Sequence, residues 1–324
     1  MQITRRDFLR YAAASAAVLG LSGSELAHLE RVLADASSPP VIWLAGACCS
    51  GCSVSLLNAV NPTIDQVLLN TISLKYHPTV MSAAGDLAVQ AARSAQKAGG
   101  YVLAIEGAIP TASGGSYCYV WDEGGKSVTM AAAVQSLAAS AKYIVAIGTC
   151  AAFGGIPGKY AAAGAKGVSS FLGRSVVNLP GCPSHPDSIV GTLVQVLSGK
   201  VPALDSNGRP TMYYGHEPIH DRCPREDDEG DEEDRVRTEV QLAAFGQDGR
   251  CLKPLGCKGP DSHCDCDIRG WNNNQGYCIG VNGLCIGCTE PDFPAFPLHT
   301  GIAVGPGVGP GIENPKKIGL PLIG

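Results

Sequence analysis

The amino-acid sequence predicts an α/β protein in which a parallel β-sheet, covered by helices on both faces, precedes an irregular cysteine-rich segment. Short apolar runs alternate with helical patterns along the first part of the chain, and this alternation stops near residue 200. The 324 residues include 41 glycines and 22 prolines, about a fifth of the chain, which argues for many turns and against a helical bundle. At about 150 residues per domain, the length predicts two domains.

Four apolar runs are the predicted strands, and each is followed by a turn. The runs are 41–44, 102–105, 143–147 and 176–179. The predicted helices are 53–60, 84–98, 130–141 and 187–197. In an open parallel sheet, functional residues gather beyond the carboxyl ends of the strands. We therefore look for the site in the turns that follow the four runs.

Composition and charge exclude two classes of protein. The formal net charge of −5 provides no basic surface for a nucleic-acid backbone. The sequence contains no run of about 18 uncharged apolar residues, so we expect no membrane-spanning helix, and the Gly/Pro-rich tail 301–324 is too short to be one. The 14 cysteines are too few for a disulfide scaffold of this size, so they require another chemical explanation.

The first residues are typical of an export signal. Arg5 and Arg6 precede an alanine-rich apolar segment, which indicates the twin-arginine route, and 34–36 fits a small-x-small cleavage site. We therefore assign 1–36 to a signal peptide, with an ordinary amphipathic helix as the alternative. Because this route exports folded proteins, a cofactor can be inserted before the protein reaches an oxidising compartment.

Four thiols are predicted to meet at one edge of the sheet. Cys49, Cys52, Cys150 and Cys182 all follow directly after predicted strands. A structural cysteine would more often lie inside a strand as a small apolar residue. Glu106 comes at the same edge, where it is either a carboxylate that supports the thiols or handles protons, or a solvated loop acid.

Four thiolates indicate either a zinc site or an iron–sulfur cluster. Zinc sites usually combine two close CxxC pairs, whereas this chain combines one CxxC pair with two single cysteines roughly 100 and 130 residues further on. The wide spacing favours an iron–sulfur cluster set into a large domain, and zinc is the alternative.

The last third of the chain contains a second and denser set of metal-ligating residue types. Its sequence has little apolar material, so bound metal would be needed to stabilise it. One division gives a group of one histidine and three cysteines, and a group of four cysteines. These groups are His220, Cys223, Cys251 and Cys257, and Cys266, Cys278, Cys285 and Cys288. Histidine can replace cysteine on a cluster iron and raises its reduction potential. A lone His220 would be an ordinary surface histidine, but Cys223 is three residues away.

Eight ordered segments form a recognisable pattern. They are WLAGACCSGCSVSLLN at 43–58, HPTVM at 77–81, EGAIP at 106–110, GTC at 148–150, PGCP at 180–183, IHDRCP at 219–224, LGCKGP at 255–260 and CIGCTEP at 285–291. Taken together, these motifs resemble the small subunit of nickel–iron hydrogenases, from the export signal to about residue 296. No single segment would be specific, but the ordered set is.

The resemblance implies a flavodoxin-like domain at 37–200 and an irregular iron–sulfur domain at 201–324. It also implies three clusters in a line, with the nickel–iron centre held by a partner large subunit. The proximal cluster, nearest that subunit, maps onto Cys49, Cys52, Cys150 and Cys182. The distal cluster maps onto His220, Cys223, Cys251 and Cys257, and the middle cluster maps onto Cys266, Cys285 and Cys288.

Two departures from the common family pattern bear on cluster type. Many members have proline seven residues before the final CxxC and hold a 3Fe–4S middle cluster, whereas this chain has Cys278 there, as in the nickel–iron–selenium type. We predict that Cys278 completes a 4Fe–4S middle cluster, the alternative being a free thiol beside a 3Fe–4S cluster. Oxygen-tolerant members add two proximal cysteines where this chain has Gly51 and Gly155, so we predict an ordinary 4Fe–4S proximal cluster.

Three cysteines are left outside these ligand sets. Cys48 precedes the first ligand, and Cys118 and Cys264 are expected to be buried or idle thiols. With Cys278 as the fourth middle ligand, the resemblance predicts that all three clusters are of the 4Fe–4S type.

The resemblance implies that the chain carries electrons one at a time between the large subunit, which splits H2, and an external acceptor. We expect H2 uptake, in the periplasm or at the outer face of the cytoplasmic membrane. The segment Glu226–Asp234 has eight acids in nine residues. It is either a solvated loop or a patch that steers a basic acceptor such as a multihaem cytochrome c. A membrane-bound redox partner is another possible acceptor.

Two other functions remain open from the sequence. A cluster-bearing subunit of another respiratory complex would share the first domain but would usually lack the cysteine array of the second. An exported, zinc-stabilised binding protein would contain zinc and be colourless.

Overall fold

A computed structural model describes residues 40–60, 62–68, 72–159, 161–225, 251–253 and 256–295. The predicted signal peptide, the acidic segment Glu226–Asp234 and the Gly/Pro-rich tail lie outside these residues. Within them, no helix is both long enough and apolar enough to cross a bilayer.

The centre of the molecule is a five-stranded parallel sheet, which confirms the predicted α/β class. The strands of the whole described chain are β1 (Pro40–Ala45), β2 (Ser73–Tyr76), β3 (Val102–Glu106), β4 (Tyr119–Glu123), β5 (Lys126–Thr129), β6 (Tyr143–Ile147) and β7 (Val177–Leu179). The sheet has the order β2-β1-β3-β6-β7, while β4 and β5 form a separate antiparallel hairpin. If only the five strands of this sheet are numbered along the chain, leaving out the hairpin, the order is 2-1-3-4-5, which is the flavodoxin-like order.

Helices cover both faces of this sheet. The α-helices of the described residues are α1 (Gly51–Leu57), α2 (Ile64–Gln66), α3 (Asp86–Ala98), α4 (Met130–Ala138), α5 (Thr149–Phe153), α6 (Gly155–Gly158), α7 (Val168–Leu172), α8 (Pro186–Leu197), α9 (Thr211–Tyr214) and α10 (Cys266–Arg269). Helices α1 and α8 pack on one face of the sheet and α3 and α4 on the other. The four predicted helices correspond to α1, α3, α4 and α8, with ends that differ by up to three residues.

Alternate residues of β1 show why the strands are continuous apolar runs. Val41 and Trp43 face one core cluster, which also contains residues of α1 and α8, whereas Ile42 and Leu44 face a second cluster with residues of α3 and α4. Both faces are therefore buried, and no position on the strand is left for a polar side chain. The first cluster also includes Cys264 and Cys285, so the cysteine-rich segment packs on this face of the sheet.

Two strand regions have no counterpart among the predicted runs. In β2, a four-residue edge strand, Lys75 is exposed and only Tyr76 is buried, so the segment lacks an apolar run. In the hairpin, Trp121 is the buried residue of β4, and Gly124 and Gly125 form the turn with φ of 58° and 76°. Two glycines with positive φ suit the tight turn of a two-residue hairpin.

Beyond Leu197 the described chain has only short helical segments and isolated bridges, in agreement with the loss of alternation near residue 200. Arg209 ties this part together, since its guanidinium donates to Asp205 Oδ2 at 2.7 Å and to Glu290 Oε2 at 2.8 Å. The Arg209 side chain is 5% exposed. Removing one member of such a buried ion pair typically costs about 3–5 kcal/mol. The division into domains at 37–200 and 201–324 stays a prediction.

Candidate metal centres

The loops after β1, β6 and β7 carry the first group of thiols. Cys49 lies two residues before α1 and Cys52 lies in its first turn. Cys150 lies in the first turn of α5, and Cys182 lies in the loop between β7 and α8. Cys49 is exposed and Cys52 is buried. In this parallel sheet β1 and β6 lie on either side of β3, and β7 lies next to β6. The carboxyl ends of these strands therefore meet at one edge of the sheet, and the four thiols lie there.

The electrostatics of the thiols indicate that they share one environment. Burial raises the pKa of Cys52 well above its ordinary value, and the nearby Cys150 and Cys182 raise it further. Burial also raises the pKa of Cys150 to about 11, with Cys182 and Cys49 adding to the effect. Protons must therefore leave these sulfurs before they can bind metal as thiolates.

Three glycines make room around these sulfurs. An added Cβ at Gly148 would lie 2.5 Å from Cys52 Sγ, and one at Gly51 would lie 3.1 Å from Cys49 Sγ. At Gly155 it would lie 2.9 Å from Cys150 Cα. A side chain at any of the three positions would press on a candidate ligand. The prediction of an ordinary proximal cluster, which rests on Gly51 and Gly155, stays a prediction.

Glu106 is a buried carboxylate directly behind this group, with 1% of the residue exposed. Its Oε1 accepts from the backbone N–H groups of Cys52 at 3.0 Å and Ser53 at 3.2 Å. Its Oε2 accepts from Trp43 Nε1 at 3.1 Å and from the Ser53 hydroxyl. Glu106 therefore fixes the first turn of α1, which carries Cys52, and the alternative of a solvated loop acid is wrong.

His77 extends this hydrogen-bond network. Burial lowers the pKa of His77 to about 4, so the ring is neutral at neutral pH. Its Nδ1 accepts from the backbone N–H groups of Thr79 and Val80, both at 3.2 Å. The proton is therefore on Nε2, which donates to Ser53 Oγ at 3.3 Å, and Ser53 in turn donates to Glu106.

The second group combines His220, Cys223, Cys251 and Cys257. Burial raises the pKa of Cys223, and both Cys251 and Cys257 raise it further. An added Cβ at Gly259 would lie 3.5 Å from Cys257 Sγ and 3.5 Å from His220 N, so these residues border one small space. Backbone N–H groups donate to two of the sulfurs, from Lys253 to Cys251 at 3.4 Å and from Cys285 to Cys257 at 3.4 Å.

The third group combines Cys266, Cys278, Cys285 and Cys288. Burial raises the pKa of Cys288 well above its ordinary value, and Cys264, Cys285 and Cys278 add to the effect. The pKa of Cys285 is raised to about 12, again mainly by burial. Cys278 is exposed, in contrast to the buried Cys285. Its side chain is nevertheless close enough to Cys288 for their charges to interact.

Thr149 joins the first and third groups. Its hydroxyl accepts from the backbone N–H of Gly181 at 2.8 Å and donates to the backbone carbonyl of Cys288. The loops before Cys182 and around Cys288 are thus held against each other by one side chain.

The chemistry of the donors fits iron–sulfur clusters. Thiolates and imidazole are the usual ligands of such clusters, and N–H groups aimed at sulfur stabilise the negative charge. Each group has a sulfur with such a donor, including Ser184 N on Cys52 at 3.5 Å and Gly287 N on Cys285 at 3.5 Å. Among the described residues, no group of three or more His, Cys, Asp or Glu side chains is placed to hold a single metal ion.

Sequence reasoning did not assign roles to Trp43, Ser53, His77 and Thr149, although each lies in a motif that carries the resemblance. Their roles depend on contacts between segments far apart in the chain. A usable signal was present in the strands, because a tryptophan and a glutamate on adjacent apolar strands must find polar partners when buried.

Comparisons with known proteins agree with this arrangement. Residues 49–196 match the family described as NADH ubiquinone oxidoreductase, 20 Kd subunit, and residues 214–298 match the family described as the C-terminal part of the NiFe/NiFeSe hydrogenase small subunit. The periplasmic [NiFeSe] hydrogenase small subunit of Desulfomicrobium baculatum is 42% identical over 317 residues, covering 91% of this chain and 97% of the relative. The periplasmic [NiFe] hydrogenase small subunit of Solidesulfovibrio fructosivorans is 38% identical and covers 90% of both chains.

Solved structures give the same result. The H2-activated [NiFeSe] hydrogenase of Dm. baculatum matches with a TM-score of 0.74 and 41% identity over 82% of this chain and 99% of that chain. The recombinant [NiFeSe] hydrogenase of Desulfovibrio vulgaris Hildenborough matches with the same TM-score and identity, over 82% and 98%. The chain therefore belongs to the small subunits of the nickel–iron and nickel–iron–selenium hydrogenases, electron-transfer subunits that function in a heterodimer with a large subunit.

Proposed function

We propose that this chain relays electrons from H2 oxidation in the large subunit, through three iron–sulfur clusters, to an external acceptor. The observation that carries the proposal is the delivery of Cys49, Cys52, Cys150 and Cys182 to one edge of the sheet, with a buried carboxylate behind them. The H2-splitting site belongs to the large subunit. The residues of this chain bind, insulate and adjust the relay.

The proposed proximal ligands are Cys49, Cys52, Cys150 and Cys182. The proposed distal ligands are His220, Cys223, Cys251 and Cys257, and the proposed middle ligands are Cys266, Cys278, Cys285 and Cys288. Each cluster would supply one-electron chemistry at a potential set by its ligands, hydrogen bonds and exposure. The chain itself excludes water from Cys52 and Cys285 and aims backbone N–H groups at sulfur. A histidine ligand would give the distal site a higher potential than an all-thiolate site.

The edge that carries Cys49 has the character of a docking face for the large subunit. Val54 and Leu57 of α1 are 55% and 43% exposed, and Ile156, beside Cys150, is 42% exposed. Large apolar side chains grouped on a surface indicate an interface. The exposed Cys49 precedes the same helix and, like Ile156, interacts with Cys150, so the relay would begin where the two subunits meet.

The proposed location and direction rest on the family and on the N-terminal sequence. Relatives are named periplasmic hydrogenase small subunits, and the paired arginines support export by the twin-arginine route. We propose a periplasmic location, or the outer face of the cytoplasmic membrane, with H2 uptake as the physiological direction.

The function is tested by purifying the chain with its partner from the native host. We expect a large subunit to co-purify, benzyl viologen to be reduced under H2, and the brown complex to contain iron and acid-labile sulfide. A cluster-bearing subunit of another respiratory complex would purify without H2-dependent activity. That alternative accounts for the match at 49–196 but not for the hydrogenase match at 214–298. A colourless protein containing zinc would favour the zinc-stabilised binding protein and overturn the proposal.

Cys278 decides the type of the middle cluster. In the Cys278→Ser complex we expect the oxidised state to gain the isotropic EPR signal of a 3Fe–4S cluster, with a loss of about one iron from about twelve. The reason is that the fourth iron loses its thiolate. Cys118→Ser is the matched control, since Cys118 packs against the other core cluster, on the opposite face of the sheet. A wild-type complex that already shows the oxidised 3Fe–4S signal would contradict the ligation by Cys278.

The acidic segment Glu226–Asp234, which follows the proposed distal ligand Cys223 in sequence, is the basis of our proposal for the acceptor. We propose that it attracts a basic multihaem cytochrome c, with a membrane-bound redox partner as the alternative acceptor. Replacing its acids by Asn and Gln is expected to slow cytochrome reduction about tenfold or more at low ionic strength and to flatten its salt dependence. Benzyl viologen reduction serves as the control because it should not change. Unchanged cytochrome rates at low salt would exclude the steering role.

A further inference from the structure

Ser184 has a buried hydroxyl beside the first thiol group. It follows Cys182 by two residues, and 0% of Ser184 is exposed. Among the described residues, its hydroxyl has no hydrogen-bond partner. Folded proteins almost always give a buried hydroxyl a partner, because the hydrogen bonds to water are lost on burial. Ser184 therefore needs a partner that comes from a bound group.

The backbone of Ser184 is fixed on both sides. Its N–H donates to Cys52 Sγ at 3.5 Å, and its carbonyl accepts from the Ser55 hydroxyl at 2.6 Å. Both contacts are with α1, so the loop between β7 and α8 is held against this helix. The Ser184 hydroxyl is thus kept beside proposed proximal ligands by contacts that do not involve it.

The large subunit is not a source for the partner of this hydroxyl. Because Ser184 is fully buried within this chain, a protein docked on the surface does not reach it. An iron–sulfur cluster would bring suitable acceptors, since Cys52 and Cys182 bind iron as thiolates and the cluster also contains inorganic sulfide. A serine hydroxyl always carries a proton that it can donate to such a sulfur.

We propose that the Ser184 hydroxyl donates a hydrogen bond to a sulfur of the proximal cluster and thereby raises the reduction potential of that cluster. The inference rests on the proposed function, since it requires a cluster on Cys52 and Cys182. A hydrogen bond to sulfur withdraws negative charge and favours the reduced cluster. Ser184 then contributes two donors to the site, its N–H on Cys52 and its hydroxyl.

The test is a redox titration of the proximal cluster, followed by EPR, in the purified heterodimer. In Ser184→Ala, which keeps the backbone N–H, we expect a lower potential. The ratio of reduced to oxidised cluster should fall up to tenfold at a fixed ambient potential, equivalent to ~59 mV for one electron. Thr192→Val is the matched control, because it removes another buried hydroxyl, which lies beside Tyr213, and should leave the potential unchanged.

Exchange into D2O provides a second readout that does not depend on activity. Electron–nuclear double resonance of the reduced proximal cluster should detect one exchangeable hydrogen fewer in Ser184→Ala than in the wild type. Thr192→Val should give the wild-type spectrum.

Iron and acid-labile sulfide contents separate the outcomes. An unchanged potential in Ser184→Ala, with iron content intact, would overturn the inference, because the hydroxyl would then bind another group such as an internal water. An equal decrease of the potential in Thr192→Val would also overturn it, as would loss of iron from Ser184→Ala, which would show that the hydroxyl holds the loop instead. If the wild-type complex shows no proximal cluster, the proposed function itself fails, and this result is distinct from the others.

Discussion

Gly148→Ala is expected to abolish the proximal site and, with it, H2-dependent reduction of the external acceptor. The new Cβ would lie 2.5 Å from Cys52 Sγ, well inside any allowed contact, and 3.6 Å from the carbonyl oxygen of Gly181. Gly148 also has φ of 83° and ψ of 156°, a backbone conformation essentially restricted to glycine, so alanine is strained here in addition to the close contact. Cys52 must therefore move away from Cys150 and Cys182. We expect the purified variant to lose about four of about twelve irons.

Gly199→Ala is the matched control for this variant. Gly199 has φ of 85°, close to that of Gly148, but an added Cβ there has no atom within 4 Å. Both variants therefore carry a positive-φ penalty of about 1–3 kcal/mol, and only Gly148→Ala displaces a thiol. Iron content, acid-labile sulfide and the unfolding midpoint in urea distinguish the two. A Gly148→Ala protein with full iron content would show that Cys52 does not bind at this edge.

Glu106→Ala is expected to destabilise the protein by about 3–5 kcal/mol and to impair iron incorporation. The carboxylate satisfies the donors of Trp43, Cys52 and Ser53, all of them buried, and each donor left without a partner costs about 1–3 kcal/mol. The first turn of α1 would lose the group that holds it in place. Urea unfolding of the purified heterodimer and its iron content measure the two effects.

Glu106→Gln separates the charge from the hydrogen bonds. The amide keeps the shape and one acceptor oxygen, so we expect a smaller loss of stability and retention of the proximal cluster. Because a buried negative charge near the cluster is removed, its reduction potential should rise. Glu123→Gln is the control, since this partly exposed residue forms a surface pair with Arg93 at 2.6 Å and should leave both stability and potential nearly unchanged. An unchanged proximal potential in Glu106→Gln would contradict the electrostatic role.

The sequence allowed the main elements of the fold to be predicted where local pattern decides them. Strands β1, β3, β6 and β7 are buried on both faces, so each is an apolar run that can be recognised without a structure. The edge strand β2 and the hairpin β4–β5 alternate or carry exposed polar residues, and their pairing depends on the rest of the sheet. These segments were too short for their residue patterns to predict strands.

The candidate site was predictable to a similar extent. The predicted strand ends indicated that four thiols lie close together, because the carboxyl ends of parallel strands share one edge of the sheet. These thiols are Cys49, Cys52, Cys150 and Cys182. The network of Trp43, Ser53, His77 and Glu106 joins residues up to 63 positions apart, and nothing in the local sequence encodes those contacts.

The Thr149 hydroxyl has a consequence for how fast charge can cross the protein. Electrons tunnel more readily along bonded and hydrogen-bonded atoms than across open gaps between side chains. The path from Gly181 N through Thr149 Oγ1 to the Cys288 carbonyl is such a continuous bridge, and it spans the boundary between the sheet and the cysteine-rich segment. In the proposed relay, a single hydroxyl would therefore supply a bonded route for electrons between the proximal and middle sites.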